Sequence, residues 1–367
     1  MYRINAKRLV KTFTDMAKIS SPSWKEGEIL DYILAAVRLP GVTARKVSCG
    51  ISHNLLITLK GAPGKRPVLF SAHMDTVTPC EKVRPVVSST RITSDGTTIL
   101  GSDDKAAIAM FIESIRHISE TRVPHGPVEF LISCAEEVGL RGMKEFDTSL
   151  LKAKHAFVFD SDGPVGKIIL RAPYHSTMTL TVTGRAAHAG MEPERGINAI
   201  NVLADIITRL PCGRIDHETT ANVGTISGGR ATNIVAEQAA CVLEVRSLDR
   251  RKMLSTESLI RDAARKTATQ WGARCSIRRA LEYSGFSIGK DDRIARIASE
   301  AMARVGIRPS FEVSGGGSDT NILNRAGISA INLSAGMRNV HSTKEYIMLR
   351  DLVNGTKVVL SIIETMR

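Results

Sequence analysis

Apolar residues recur at helical spacing over residues 6–18 and 24–38. Short apolar runs follow, Asn54-Leu55-Leu56-Ile57-Thr58-Leu59 and Val68-Leu69-Phe70-Ser71-Ala72. Residues 105–117 read as a helix, and 128–132 and 156–159 as strands. Strands that are apolar throughout, set between helices, predict an α/β sheet covered on both faces. Near residue 173 the pattern changes. Residues 177–183 alternate strictly, as a half-exposed strand does. A helix at about 194–210 follows, then strands near 221–227 and 234–247, a helix near 252–270 and a strand near 273–283. That β-α-β-β-α-β order is the ferredoxin-like unit. The α/β pattern then resumes, with helices at 291–304 and 349–366 and strands at 308–313 and 328–333. The expected organisation is an α/β domain of residues 1–172 and 285–367, with a mixed sheet between helices, and an inserted α+β domain of residues 173–284.

Composition narrows the classes. Hydrophobic residues make up 43% and charged residues 24%, as in an ordinary globular protein. No run approaches the roughly 18 apolar residues of a membrane span, and none follows the basic N-terminus as a signal peptide would require. The six cysteines are scattered and read as free thiols, so a reducing, cytoplasmic setting is expected. The net charge of +13 is spread without a dominant Lys/Arg block, and aromatics are only 4%, so nucleic acid is not an expected partner. The positive field would instead steer anionic substrates.

Chemistry gathers where strands end. One strand runs into His73-Met74-Asp75, another into Cys134-Ala135-Glu136-Glu137, a third into Asp160-Ser161-Asp162, and a fourth into a loop carrying His341. A fifth cluster, Gly101-Ser102-Asp103-Asp104-Lys105, opens a helix. In an open α/β sheet such carboxyl ends form the site. Several carboxylates in one place repel one another, and metal cations offset that cost. Histidine with Asp and Glu suits zinc. Asp75, two residues on from His73, is placed to accept the second ring N–H of that histidine. In Glu136-Glu137 the two side chains should diverge, one toward metal and one toward the attacking water.

These residues resemble the dinuclear zinc peptidase family that includes peptidase T, aminoacylase and glutamate carboxypeptidase. The matching motifs are Ser71–Val77, Leu100–Ala107, Ala135–Gly139 and Asn339–Glu345, and the resemblance covers nearly the whole chain. Residues 159–163 and 187–194 look closest to the peptidase T-like branch. The resemblance implies two zinc ions, with manganese or cobalt as alternatives. One ion takes His73 and Asp162, the other Glu137 and His341, and Asp103 bridges them. Asp160 is the rival of Asp162. Glu136 would be the general base, with Asp75 behind His73. His188 would serve a partner's site across a homodimer built through the inserted domain, which acts as a lid. Arg246 would clamp a substrate carboxylate, and Asn233, Gly316 and Ser318 would contact substrate. The implied activity is amide hydrolysis in short peptides, aminopeptidase or tripeptidase in type. An N-acyl amino acid deacylase or a carboxypeptidase with the same site is the alternative. A non-catalytic binding protein on the same fold is the alternative from another class.

Overall fold

A computed structural model describes residues 2–366, which divide into two compact units. Residues 1–171, 287–314 and 318–367 make the first unit, and residues 172–286 with Gly315–Gly317 make the second. The first is built on a nine-stranded mixed sheet. Four adjacent strands at its centre, Val128–Ser133, Val68–His73, His155–Ser161 and Ser329–Ser334, run parallel. The first two are buried at every position, which is why they read as continuous apolar runs. Ser52–Leu59 and Val42–Cys49 extend the sheet antiparallel on one side.

Five phenylalanines fill the heart of this unit. Phe70 and Phe130 stack at 5.3 Å between ring centroids, Phe111 from the Ser102–Thr121 helix lies 5.2 Å from Phe130, and Phe157 and Phe159 complete the group. Burying each ring stabilises the fold by about 1.5–3 kcal/mol. Helices Ala6–Ala17, Ser102–Thr121, Arg293–Arg304 and Leu349–Met366 cover the sheet with their apolar stripes.

The second unit is an antiparallel sheet in the order Gly213–Asp216, Thr219–Gly228, Gln238–Ser247, Tyr174–Thr183, Arg274–Tyr283. Its four long strands with helices Ala199–Arg209 and Arg250–Gln270 have the ferredoxin-like arrangement. Met178, Leu180 and Val182 alternate inward from the Tyr174–Thr183 strand onto Leu203, Ile206 and Ile260.

Several boundaries depart from the sequence reading. The expected 194–210 helix begins at Ala199, because Asn198 caps it by accepting from the Ile200 and Asn201 amides. The Val42–Cys49 strand escaped notice because its residues are largely exposed and carry Arg45 and Lys46, as an edge strand does. Gly213–Asp216 is an edge strand too short to show a period. Among the described residues, no helix is long and apolar enough to cross a membrane, and the six cysteines are free.

Candidate metal centre

Two histidines and a set of carboxylates meet at the carboxyl ends of the parallel strands. His73 ends the Val68–His73 strand and is buried. Its Nδ1 lies 2.9 Å from the main-chain carbonyl oxygen of Asp75. A carbonyl only accepts, so Nδ1 carries the proton and the Nε2 lone pair faces the cluster. Nε2 is 3.1 Å from Asp103 Oδ1 and 3.7 Å from Asp160 Oδ1. His341, held at a positive φ of 61°, places its Nε2 3.2 Å from Asp103 Oδ2 and 3.1 Å from Glu137 Oε1. The two oxygens of Asp103 therefore address two different histidines.

Each loop has its own anchor. Glu345 is buried and accepts from the amides of Leu100 and Gly101 at 2.8 Å, from Ser102 Oγ at 2.5 Å and from the Asp103 amide at 3.0 Å. Gly101 takes a φ of 73°, which glycine adopts without steric cost. Asp75 accepts from the Glu136 amide at 2.9 Å, the Glu137 amide at 3.2 Å and Ser23 Oγ at 2.7 Å. Asp75 thus grips the Glu136-Glu137 turn. It also stands behind His73, its nearer carboxylate oxygen 3.5 Å from Nδ1, with the Asp75 carbonyl the closer acceptor of that ring N–H.

One correction concerns the fourth acid. Asp162 lies outside the cluster; its side chain is 60% exposed and pairs with Lys167 Nζ at 2.8 Å. Asp160 occupies the expected place. Its main chain is pinned to the next strand, with its amide donating to Asn332 Oδ1 at 3.0 Å and its carbonyl accepting from Asn332 Nδ2 at 2.9 Å. The pairing register shifts across Asp160, between Val158 and Ser161, and Gly163 then turns the chain at a φ of 91°.

Titration reflects this crowding. Burial works to lower His73, but the surrounding carboxylates of Asp103, Asp160 and Asp75 hold it well above the usual histidine range. Hydrogen bonds to Asp103 and Glu137 push His341 up to about 10. Burial works to raise Asp103, yet the two histidines keep it below the ordinary carboxylate range. Burial raises Asp160 to about 6, and raises Glu136 well above its usual value with help from the Asp160 charge. Imidazole lone pairs facing carboxylate lone pairs need a cation between them, either protons or a metal. The nitrogen and oxygen donors fit a borderline divalent ion. Ligand atoms of His73, Asp103 and Glu137 form one compact group, and those of His73, Asp104 and Asp160 another.

Sequence reasoning missed several buried acids here. Asp104 accepts from the His73 amide at 3.3 Å, and its other oxygen has no partner. Asp319 accepts from Ser133 Oγ at 2.5 Å, and burial pushes it up to about 7. Asp104 had one signal, its place beside Asp103 in an acidic helix start.

Ser318 is buried and caps the Asp319–Arg325 helix, its Oγ accepting from the Thr320 amide and from Asn332 Nδ2 at 3.2 Å. In the second unit, Gly315–Gly317 backs onto Tyr283, whose ring a Cβ on Gly317 would meet at 2.3 Å. That close approach explains a glycine there; Gly316 is its neighbour. Arg246 is engaged: Nε and Nη2 each donate to Glu244 at 3.0 Å, and Nη1 to Tyr283 Oη at 3.3 Å. His188 is exposed, and its Nδ1 accepts from the amides of Gly190 at 3.2 Å and Met191 at 3.1 Å, which leaves the proton on Nε2. Exposed Asn233 is beside it, its carbonyl accepting from the Ala189 amide at 3.0 Å.

Known proteins resemble the whole chain. YqjE of Bacillus subtilis strain 168 is 37% identical over 366 residues, which is 98% of this chain and 99% of YqjE. The crystal structure of aminopeptidase PepT from Bacillus cereus ATCC 10987 superposes with a TM-score of 0.90 at 37% identity, covering 99% of both chains. That of a tripeptidase from Staphylococcus aureus subsp. aureus Mu50 gives 0.91 at 33% identity, again over 99% of both. The sequence profile described as peptidase family M20/M25/M40 matches residues 69–365, and with that extent of agreement the chain belongs to this family.

Proposed function

We propose that this protein is an aminopeptidase or tripeptidase that hydrolyses short peptides with two divalent ions, zinc in the first instance. The observation that carries the reading is the Asp103 carboxylate, with one oxygen 3.1 Å from His73 and the other 3.2 Å from His341. His73 and Asp160 would hold one ion, Glu137 and His341 the other, and Asp103 both. Bound divalent ions polarise a carbonyl and lower the pKa of water.

The chain's own groups do the rest. Glu136, on a turn fixed by Asp75, takes the proton of the attacking water on its carboxylate and delivers it to the leaving amine. His188, with its proton on Nε2, is a donor for the oxyanion that develops on the scissile carbonyl. Its exposure supports a role at a partner's site in a homodimer formed through the second unit. Asn233, tied to the His188 loop through its main chain, and Gly316 remain substrate contacts under this reading. Because Arg246 is held by Glu244, a substrate carboxylate would have to displace Glu244 to reach it. Free thiols support a cytoplasmic setting.

The test is Glu136→Gln. This variant should retain about two zinc ions per chain by elemental analysis and lose about 10²–10⁴-fold in kcat on a free tripeptide. Wild-type turnover in that variant at matched zinc loading would sink the role of Glu136, and zinc-free wild type would sink the reading itself.

A further inference from the structure

The turn that carries Glu136 and Glu137 is held by a cradle of side chains, part of it drawn from outside the segment that matches the family, which begins at residue 69. Four successive amides each donate to a side chain. Cys134 donates to Asn54 Oδ1 at 3.0 Å, Ala135 to Glu26 Oε1 at 3.0 Å, Glu136 to Asp75 Oδ1 at 2.9 Å and Glu137 to Asp75 Oδ2 at 3.2 Å. The carbonyls of this turn are paired within it, Cys134 accepting from the Gly142 amide, Ala135 from Arg141 and Glu136 from Gly139 and Leu140, so it is the amide side that the side chains hold. Ala135 sits at a φ of 48°, a left-handed conformation that costs a non-glycine residue about 1 kcal/mol or more.

Glu26 is the member of this cradle with most at stake. It is 1% exposed. Its Oε1 also accepts from the Trp24 amide at 2.8 Å, and its Oε2 accepts from Ser52 Oγ at 2.6 Å. One carboxylate thereby joins the N-terminal segment, the Ser52–Leu59 strand and the Glu136-Glu137 turn. A buried carboxylate is tolerated only where its lone pairs are used, and here three donors use them. Asn54 works alongside it, donating from Nδ2 to the Gly142 carbonyl at 2.9 Å and so closing the far side of the same turn.

We infer that Glu26 is a positioning residue for the metal centre: by fixing the Ala135 amide it sets where the Glu137 carboxylate and the Glu136 carboxylate stand. The inference rests on the function proposed above. Outer partners of metal ligands typically alter affinity or activity by about 10–100-fold when removed.

The experiment compares Glu26→Ala, Glu26→Asp and Glu26→Gln in the full chain. Zinc affinity is read by competition with a chromophoric chelator, kcat and KM on a free tripeptide at saturating zinc, and thermal stability on metal-free protein. Glu26→Ala should weaken the more weakly held zinc ion by about 10–100-fold and lower kcat, with KM nearly unchanged. Glu26→Asp keeps the charge but is too short to span the same donors, and should behave like the alanine variant. Glu26→Gln keeps an oxygen for the Trp24 and Ala135 amides and should recover most of both properties. Alanine or aspartate variants that are folded and match wild type in zinc affinity and kcat overturn the inference, even if their melting temperature falls. Should the alanine variant not fold, the aspartate variant decides. Wild type that binds no zinc overturns the hydrolase reading and this inference together, whereas wild type with two ions beside an indifferent aspartate variant overturns the inference alone.

Discussion

The first unit and the second treat their candidate residues differently. In the first, the side chains of His73, Asp103, Glu137 and Asp160 are mostly buried; His73 and Asp160 stand on strands, while Asp75 holds the turn of Glu137, Glu345 the loop of Asp103 and Asn332 the main chain of Asp160. In the second, His188 and Asn233 are exposed, and Arg246 is satisfied by its neighbour Glu244. Crowding carboxylates is expensive, so the first arrangement requires a compensating scaffold and a cation. Exposed polar groups need neither. The contrast separates residues whose placement is enforced from residues that a substrate or a second subunit would have to recruit.

The sharpest way to break the comparison is the acid pair at the end of the His155–Ser161 strand. Asp160→Ala should weaken zinc binding by more than the roughly 100-fold typical of an outer partner, because it removes a ligand. Asp162→Ala should bind zinc as wild type does, since it costs only the exposed pair with Lys167, worth about 0–1 kcal/mol. Chelator competition checks both, and the reverse ranking would restore Asp162. Next in size is Glu345→Ala. It strands four donors of the 100–103 loop and should lower zinc affinity by about 10–100-fold, measured in the same way. The smallest effect belongs to the second unit. Arg246→Ala should raise KM for a tripeptide by about 10-fold, the scale of one charged hydrogen bond, and leave KM for its C-terminal amide nearly unchanged. Equal increases for both substrates would show that Arg246 does not read that carboxylate.

What the sequence disclosed follows the same divide. The parallel strands were legible because full burial excludes polar residues, and the histidine and acids stood out against those apolar runs. The choice between Asp160 and Asp162 was not legible. It depends on where side-chain alternation ends, and that is set by the register shift opposite Asn332 and the turn at Gly163. Glu26 and Glu345 were invisible as anchors for another reason. They act on amides 109 and 242–245 residues away, and no local spacing encodes such a pairing. That Ser318 caps a helix was not legible either, because a glycine run before a helix looks the same whether its serine serves a ligand or a cap.

The path of the chain through the central sheet bears on how the protein is made. The Ser329–Ser334 strand lies between His155–Ser161 and Lys167–Ala172, two strands that are neighbours in sequence yet not in space. A ribosome reaches that strand only after the second unit's Ala172–Phe286 segment has been made. Until then the sheet has a gap at its middle, with the edge of His155–Ser161 open to mispairing. The second unit, by contrast, is complete in nearly continuous sequence and has all its long strands by Tyr283. It should reach its structure while the first unit still waits for the strand that closes its sheet and for the His341 segment that follows it.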